Sequence, residues 1–186
     1  MLFYRMDTQR EMDQQVLTEY LRRSYFAVDG LWFSIVEKEN SFEEALALDE
    51  QVWAVLAKIQ ARKAKALLGI EGCSTADLLR GLEVKLQAEG YQYTIAEAGP
   101  DRLLIHVQHC PWYALMKKAQ REHLAGKVGD VICNRELQVW ADELAKGMRF
   151  YMSSQLCRDG AACCWEYRLK GRREVNDPQR THRSGI

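Results

Sequence analysis

Apolar side chains recur at three- and four-residue intervals through the first third of the chain, and further on they alternate with polar ones. In "MDQQVLTEYLRRSYFAVDGLWFSIVEKE" Leu17, Leu21, Val28, Leu31, Trp32 and Ile35 fall on helical spacing, with Asp29-Gly30 as the point where a helix would kink or break. The next stretch, "NSFEEALALDEQVWAVLAKIQARKAKALLGI", opens on a capping box of Ser41 and Glu44 and stops at Gly69. Its buried stripe is expected to hold Phe42, Leu46, Val52, Trp53, Leu56 and Ile59. A third helix is predicted over residues 75–89, ending at Gly90.

The period then changes. "YQYTIAEA" and "RLLIHVQHC" read as strands joined through Gly99-Pro100-Asp101. "PWYALMKKAQREHLA" is helical, with Pro111 in the first turn where its missing N–H costs nothing. Asn134 can cap a helix over "RELQVWADELAK" that stops at Gly147. "MRFYMSSQLC" and "ACCWEYRLK" form a closing hairpin about Asp159-Gly160. The fold class is therefore α+β, N-terminal helices followed by an antiparallel sheet of about four strands with helices packed on it. The organisation reads as a helical region over 1–72, an α+β ligand-binding domain over 73–170 and a flexible Arg-rich tail over 171–186. The N-terminal stripe suits a homodimer, and equally an intramolecular lid over the sheet.

Composition narrows the class. With 186 residues, 47% hydrophobic and 28% charged, the chain can bury a real core. Its 26 basic and 26 acidic residues leave no basic excess, which argues against nucleic acid. No apolar run approaches the roughly 20 residues of a membrane helix. The opening "MLFYRMDTQREMDQQ" is too polar and acidic for a signal peptide. These features predict a cytoplasmic protein whose six cysteines stay reduced.

The cysteines carry the candidate chemistry. A two-residue turn in the last hairpin would set Gln155 opposite Cys164 and put Cys157 and Cys164 on one face. Cys163 would then pack with Leu156, Trp165 and Tyr167 on the other. Cys110 and Cys133 each precede a predicted helix start, where free N–H groups and the helix dipole favour a thiolate. His106 shares the strand parity of Cys110, Glu136 falls in the first turn after Cys133, and Trp112 follows Cys110-Pro111. Three readings stand: the thiols pack as small hydrophobes, they hold zinc or an iron–sulfur cluster, or they line a reactive pocket. No CxxC knuckle supports the metal set Cys110, Cys133, Cys157 and Cys164.

"DGLWFSIVEKENSFEEALALDEQVW", "HCPWYALMKKA" and "CCWEYR" together resemble an uncharacterised prokaryotic cysteine-containing family over most of the chain. The C-terminal half, through "HCPW", "CNRE" and "CCWEY", is more distantly similar to the 2-amino-thiazoline-4-carboxylate hydrolase family and to 4-vinyl-reductase-like ligand-binding domains. The hydrolase resemblance implies addition of water to a cyclic amidine, giving an N-carbamoyl amino acid. It implies Cys110, Cys133, Glu136 and Cys164 as motif positions. The expectation is a small-molecule-binding protein with a cysteine-lined pocket, acting as a hydrolase on a small cyclic C–N bond through Cys133, Glu136 and Cys110. His106 and Trp112 would contact the ligand. A metal-binding cysteine module and a non-catalytic sensor are the alternatives.

Overall fold

The computed structural model describes residues 12–158 and 160–171. The first eleven residues, Asp159 of the expected turn and the tail beyond Gly171 lie outside the described residues.

Two long helices open the fold, α1 (Gln14–Glu39) and α2 (Phe42–Leu67). Asp13 caps the first by accepting from Gln15 N–H, and Ser41 caps the second by accepting from Glu44 N–H. Asn40 and Ser41 alone separate them, so they form a tight antiparallel hairpin. Contrary to expectation, α1 runs unbroken through Asp29-Gly30. A single interior glycine costs only about 1 kcal/mol, which 26 residues of helix absorb.

Helix α3 (Thr75–Glu89) starts at a capping box of Ser74 and Asp77 and ends at Gly90, whose φ of 81° no β-carbon favours. The Arg22 guanidinium lies over Gly90 where a β-carbon would sit, tying α1 to the end of α3. An ion pair of 2.7 Å from Arg121 to Glu37 ties its other end.

Strands β1 (Gln92–Ala98), β2 (Arg102–His109), β3 (Met148–Ser154) and β4 (Cys163–Leu169) make one antiparallel sheet in the order β1-β2-β4-β3. Between β2 and β3 lie α4 (Pro111–Lys118), a 3-10 turn (Glu122–Leu124) and one continuous helical stretch. That stretch comprises α5 (Ala125–Val128), a π-helical turn (Gly129–Cys133) and α6 (Asn134–Leu144).

Alternation decides which sheet face is buried. Leu103, Ile105, Val107, Trp165, Tyr167 and Phe150 point to one side. There they meet Leu78, Leu82 and Leu86 of α3, and Leu137, Trp140 and Leu144 of α6. Gly81 lets α3 and α6 approach, since a β-carbon there would overlap Leu144. Ala57, Ala61 and Ala64 of α2 pack on the back of this layer and belong to the same core. The layers run sheet, α3 with α6, then the α1–α2 hairpin.

Two expectations about burial are corrected. Val52 and Ile59 of α2 are exposed, and so is Trp32 of α1. The helices bury only the side turned to the body, through Tyr25, Phe33, Leu46 and Trp53, and among the described residues nothing covers the other apolar stripe.

The last hairpin also differs. Ser154, not Gln155, pairs with Cys164, because residues 155–162 form a loop and a bulge falls between Met152 and Ser154. Gln155 instead donates to Asp130 at 2.7 Å, docking the loop on the π-helical turn.

Candidate functional site

Two charged residues sit on the apolar stripe of α3. Lys85 and Glu89 continue the line of Leu78 and Leu82, so the helix turns both into the interior. Lys85 Nζ donates to Glu89 Oε1 at 2.7 Å. It also lies 2.7 Å from Oε1 of Glu136, which the first turn of α6 brings in. That second contact is an ion pair, and this oxygen of Glu136 has no other partner. The other oxygen of Glu89 accepts from the Trp112 indole N–H at 3.0 Å.

Aromatic rings enclose the ammonium. Its nitrogen is 5.7 Å from the centre of Trp53 and 5.9 Å from that of Tyr91. Trp112 stands edge-on to Trp53 at 5.2 Å and to Tyr25 at 5.6 Å, with Phe26 beside it at 4.4 Å. Two further carboxyls, Asp29 of α1 and Asp49 of α2, flank Trp53. Asp49 is 4% exposed, and its Oδ1 has no partner.

The charges do not balance. Burial works against the charge on Lys85, but Glu136 and Glu89 outweigh it and hold the ammonium protonated above its ordinary range. Burial raises Glu136, and Glu89 adds to the rise against the pull of Lys85. Burial pushes Asp29 to about 6, with Trp53 holding it down somewhat. Burial and then Asp29 push Asp49 to about 7. One ammonium thus stands between two carboxylates, Glu89 and Glu136, with Asp29 and Asp49 beside Trp53 shifted toward their protonated forms.

A cleft of about 420 Å³ opens above this cluster between α1, α2 and α3. Lys85 and Glu89 form its floor, with Trp140 and Gln60 beside them. The Trp140 indole N–H and Gln60 Oε1 are buried without hydrogen-bond partners, although the Gln60 amide nitrogen donates to Tyr25 at 3.3 Å. Leu21, Ala64, Leu67 and Val84 make apolar walls, and Arg22 and Lys63 stand among the lining.

The fold brings Cys110, Cys133, Glu136 and Trp112 toward this region but not the other predicted residues. Cys110 caps α4, accepting from Tyr113 N–H at 3.5 Å, and Tyr91 also bonds to it. Cys133 does not stand at a helix start, because the π-helical turn runs straight into α6 and gives it ordinary helical φ and ψ of −62° and −41°. It therefore has no free N–H groups to stabilise a thiolate.

Burial raises both thiols above their ordinary range, and in Cys133 the nearby Cys110 and Glu136 add to it. The expected thiolates are corrected to neutral thiols. Cys163, pushed up to about 11 by burial, packs on the core side with Leu156 N–H donating to its sulfur at 3.3 Å. Cys164 pairs with His106 in register on the opposite sheet face, away from the cleft. Cys157 lies on the 155–162 loop and donates to Gln155 at 3.4 Å. Among the described residues no group of three or more His, Cys, Asp or Glu side chains is disposed to hold a metal ion.

Sequence reasoning passed over Lys85, Glu89, Asp49 and Tyr91. The signal was present in α3: the spacing Leu78, Leu82, Lys85, Glu89 continues an apolar stripe with two charges, which a surface helix would not need to do. Nothing local marks Tyr91 or Asp49.

Sequence comparison places the chain in a family of unknown function, DUF6125: it belongs to that family, matching over residues 7–169. No curated protein matches the chain. Among the described residues no helix is long and apolar enough to cross a membrane.

Proposed function

We propose that this protein binds a small zwitterion, a molecule carrying a carboxylate and a protonated amine or amidine, in the cleft between α1, α2 and α3. The observation that carries the reading is that Lys85 and Glu89 line the cleft while Glu136, outside its lining, puts a second carboxylate on the one ammonium. Burying charges costs several kcal/mol each unless they are compensated, and such clusters gather at functional sites. A protonated nitrogen donating to Glu89 and Gln60 Oε1 would supply the missing cation. The ligand carboxylate would accept from Trp140 N–H or face Arg22 and Lys63, with its apolar body against Leu67 and Val84. A cytoplasmic setting, in which all six cysteines remain thiols, fits this reading.

A second reading extends the first to hydrolysis of a cyclic C–N bond, as the distant hydrolase resemblance implies. The upward shift of Glu136 favours it, since a carboxyl that titrates near neutrality can both give and take a proton. Water would add across the amidine C=N bond, and Glu136 would pass the remaining water proton to the ring sulfur as the C–S bond breaks, leaving the nitrogen acylated in the N-carbamoyl product. Cys110 and Cys133 would shape the chamber as neutral thiols.

The test uses 2-amino-thiazoline-4-carboxylate, lysine and arginine as probes, with 2-amino-thiazoline as the control that lacks a carboxylate. A bound zwitterion at about one hundred times Kd should add about 2.7 kcal/mol and raise Tm by roughly 5–10 °C, with little effect from the control. Glu89→Gln should weaken binding about tenfold. Release of an N-carbamoyl amino acid that Glu136→Gln abolishes, with binding retained, would identify the enzyme. Binding without product would identify a sensor or carrier. No stabilisation by any zwitterion overturns the proposal.

A further inference from the structure

The structure assigns a second copy of this chain to the outward face of the α1–α2 hairpin, joined as a two-fold symmetric four-helix bundle. On α1, Leu17, Leu21, Val28, Leu31 and Ile35 repeat at alternating three- and four-residue steps, with Ser24 completing the series. On α2, Leu48, Val52, Val55 and Ile59 repeat in the same way, and Ala66 continues the line. These are the two seams of a heptad pattern, the spacing that packs helices at a crossing angle of about 20°.

Among the described residues both seams are bare. Leu21, Val28, Leu31 and Ile35 are 65%, 69%, 63% and 61% exposed, Val55 is 61% exposed, and α1 contains no buried residue at all. Each seam lies about 130° around its helix from the residues that face the body, such as Asp29 and Phe33 on α1, or Asp49 and Trp53 on α2. Because the helices are antiparallel neighbours, that rotation turns both seams to the same side, away from the sheet.

Area and charge select the occupant. The seam from Leu17 to Ile35 is about 27 Å long, and two helices make it about 20 Å wide. That flat footprint, about 540 Å², is roughly two-thirds of the roughly 800 Å² per partner of a standard interface, and side-chain relief adds to it. The seam positions from Leu17 to Ile35 and from Leu48 to Ile59 carry no charge. Arg62, next on the α2 seam, is held by Glu143 at 2.7 Å, and Arg23 is held by Glu19 at 2.6 Å. An anionic lipid surface would want free Lys and Arg along the rim, whereas an uncharged, self-similar face on a chain of zero net charge is what an isologous dimer buries. Leu21 also stands at the rim of the cleft, whereas Leu31 and Val55 do not line it, so substitutions at those two positions read the dimer apart from the cleft's ligand.

Sedimentation equilibrium of the full chain reads it directly. The expected mass is twice 21.5 kDa, falling to half in the Leu31→Glu, Val55→Glu double variant with an unchanged far-ultraviolet spectrum. Both substitutions fall on exposed positions, so the monomer fold should persist. Tyr151→Glu, on the exposed face of β3, should leave the dimer intact. A wild-type monomer up to about 100 µM overturns the proposal. So does a dimer that resists the double variant, or one that Tyr151→Glu also separates.

Discussion

Lys85 is the residue on which the interior most depends. Replacing it by Met would leave Glu89 and Glu136 buried with no cation between them, and breaking such a pair costs about 3–5 kcal/mol. Urea unfolding should show that loss, and the triple variant Lys85→Met, Glu89→Gln, Glu136→Gln should recover much of it. The surrounding carboxyls give the fold an acid-side preference. Asp29 at about 6 and Asp49 at about 7 bind protons more tightly than their ordinary 3.8, so unfolding releases those protons. Their stabilisation is complete below about pH 4 and is lost as pH rises through about 6–7. Glu166 behaves oppositely: burial would raise it, but Arg168 and Arg102 hold it low, so its share is lost in acid. The urea midpoint should therefore be higher near pH 6 than near pH 8, and Asp49→Asn should flatten that difference. A midpoint that climbs from 6 to 8 would contradict the burial assigned to these groups. Among the thiols, exposed Cys73 should react first with a disulfide reagent, well ahead of Cys110 and Cys133.

Helices and strands were legible where their periodicity was strong. The three N-terminal helices, the cap at Ser41, the stop at Gly90 and the strand pairs all follow from local spacing and turn chemistry. Register and helix continuity were not legible, because tertiary contacts decide them. The loop at 155–162 docks on Asp130 instead of closing in two residues, and the π-helical turn carries the chain through Cys133 where a fresh helix start was expected. The candidate site was legible for Glu136, Cys110, Cys133 and Trp112. Its other half comes from α3 and the α1–α2 hairpin, far away in sequence. Gly81 illustrates the same point at the α3–α6 contact. Gly81→Val should destabilise the fold by about 1–3 kcal/mol despite better helix propensity, since Leu144 and Trp140 are fully packed there. Differential scanning calorimetry would measure it, and an unchanged Tm would mean that the two helices are less tightly engaged.

At the scale of the molecule, the sheet and its two covering helices form a solid base, while the α1–α2 hairpin is a thinner layer whose inner side closes the cleft and whose outer side stands open. This division explains why the polar cluster lies at the boundary between layers and not in the middle of the apolar core. It also places Trp53 and Trp112 edge to face, 5.2 Å apart, with Glu89 bonded to one and Asp29 and Asp49 beside the other. Indole emission responds to nearby charge and to proton donors. The protein consequently carries its own fluorophore beside these carboxyls, and its emission should change as they gain or lose protons, or with a zwitterion bound as proposed above, without any added label.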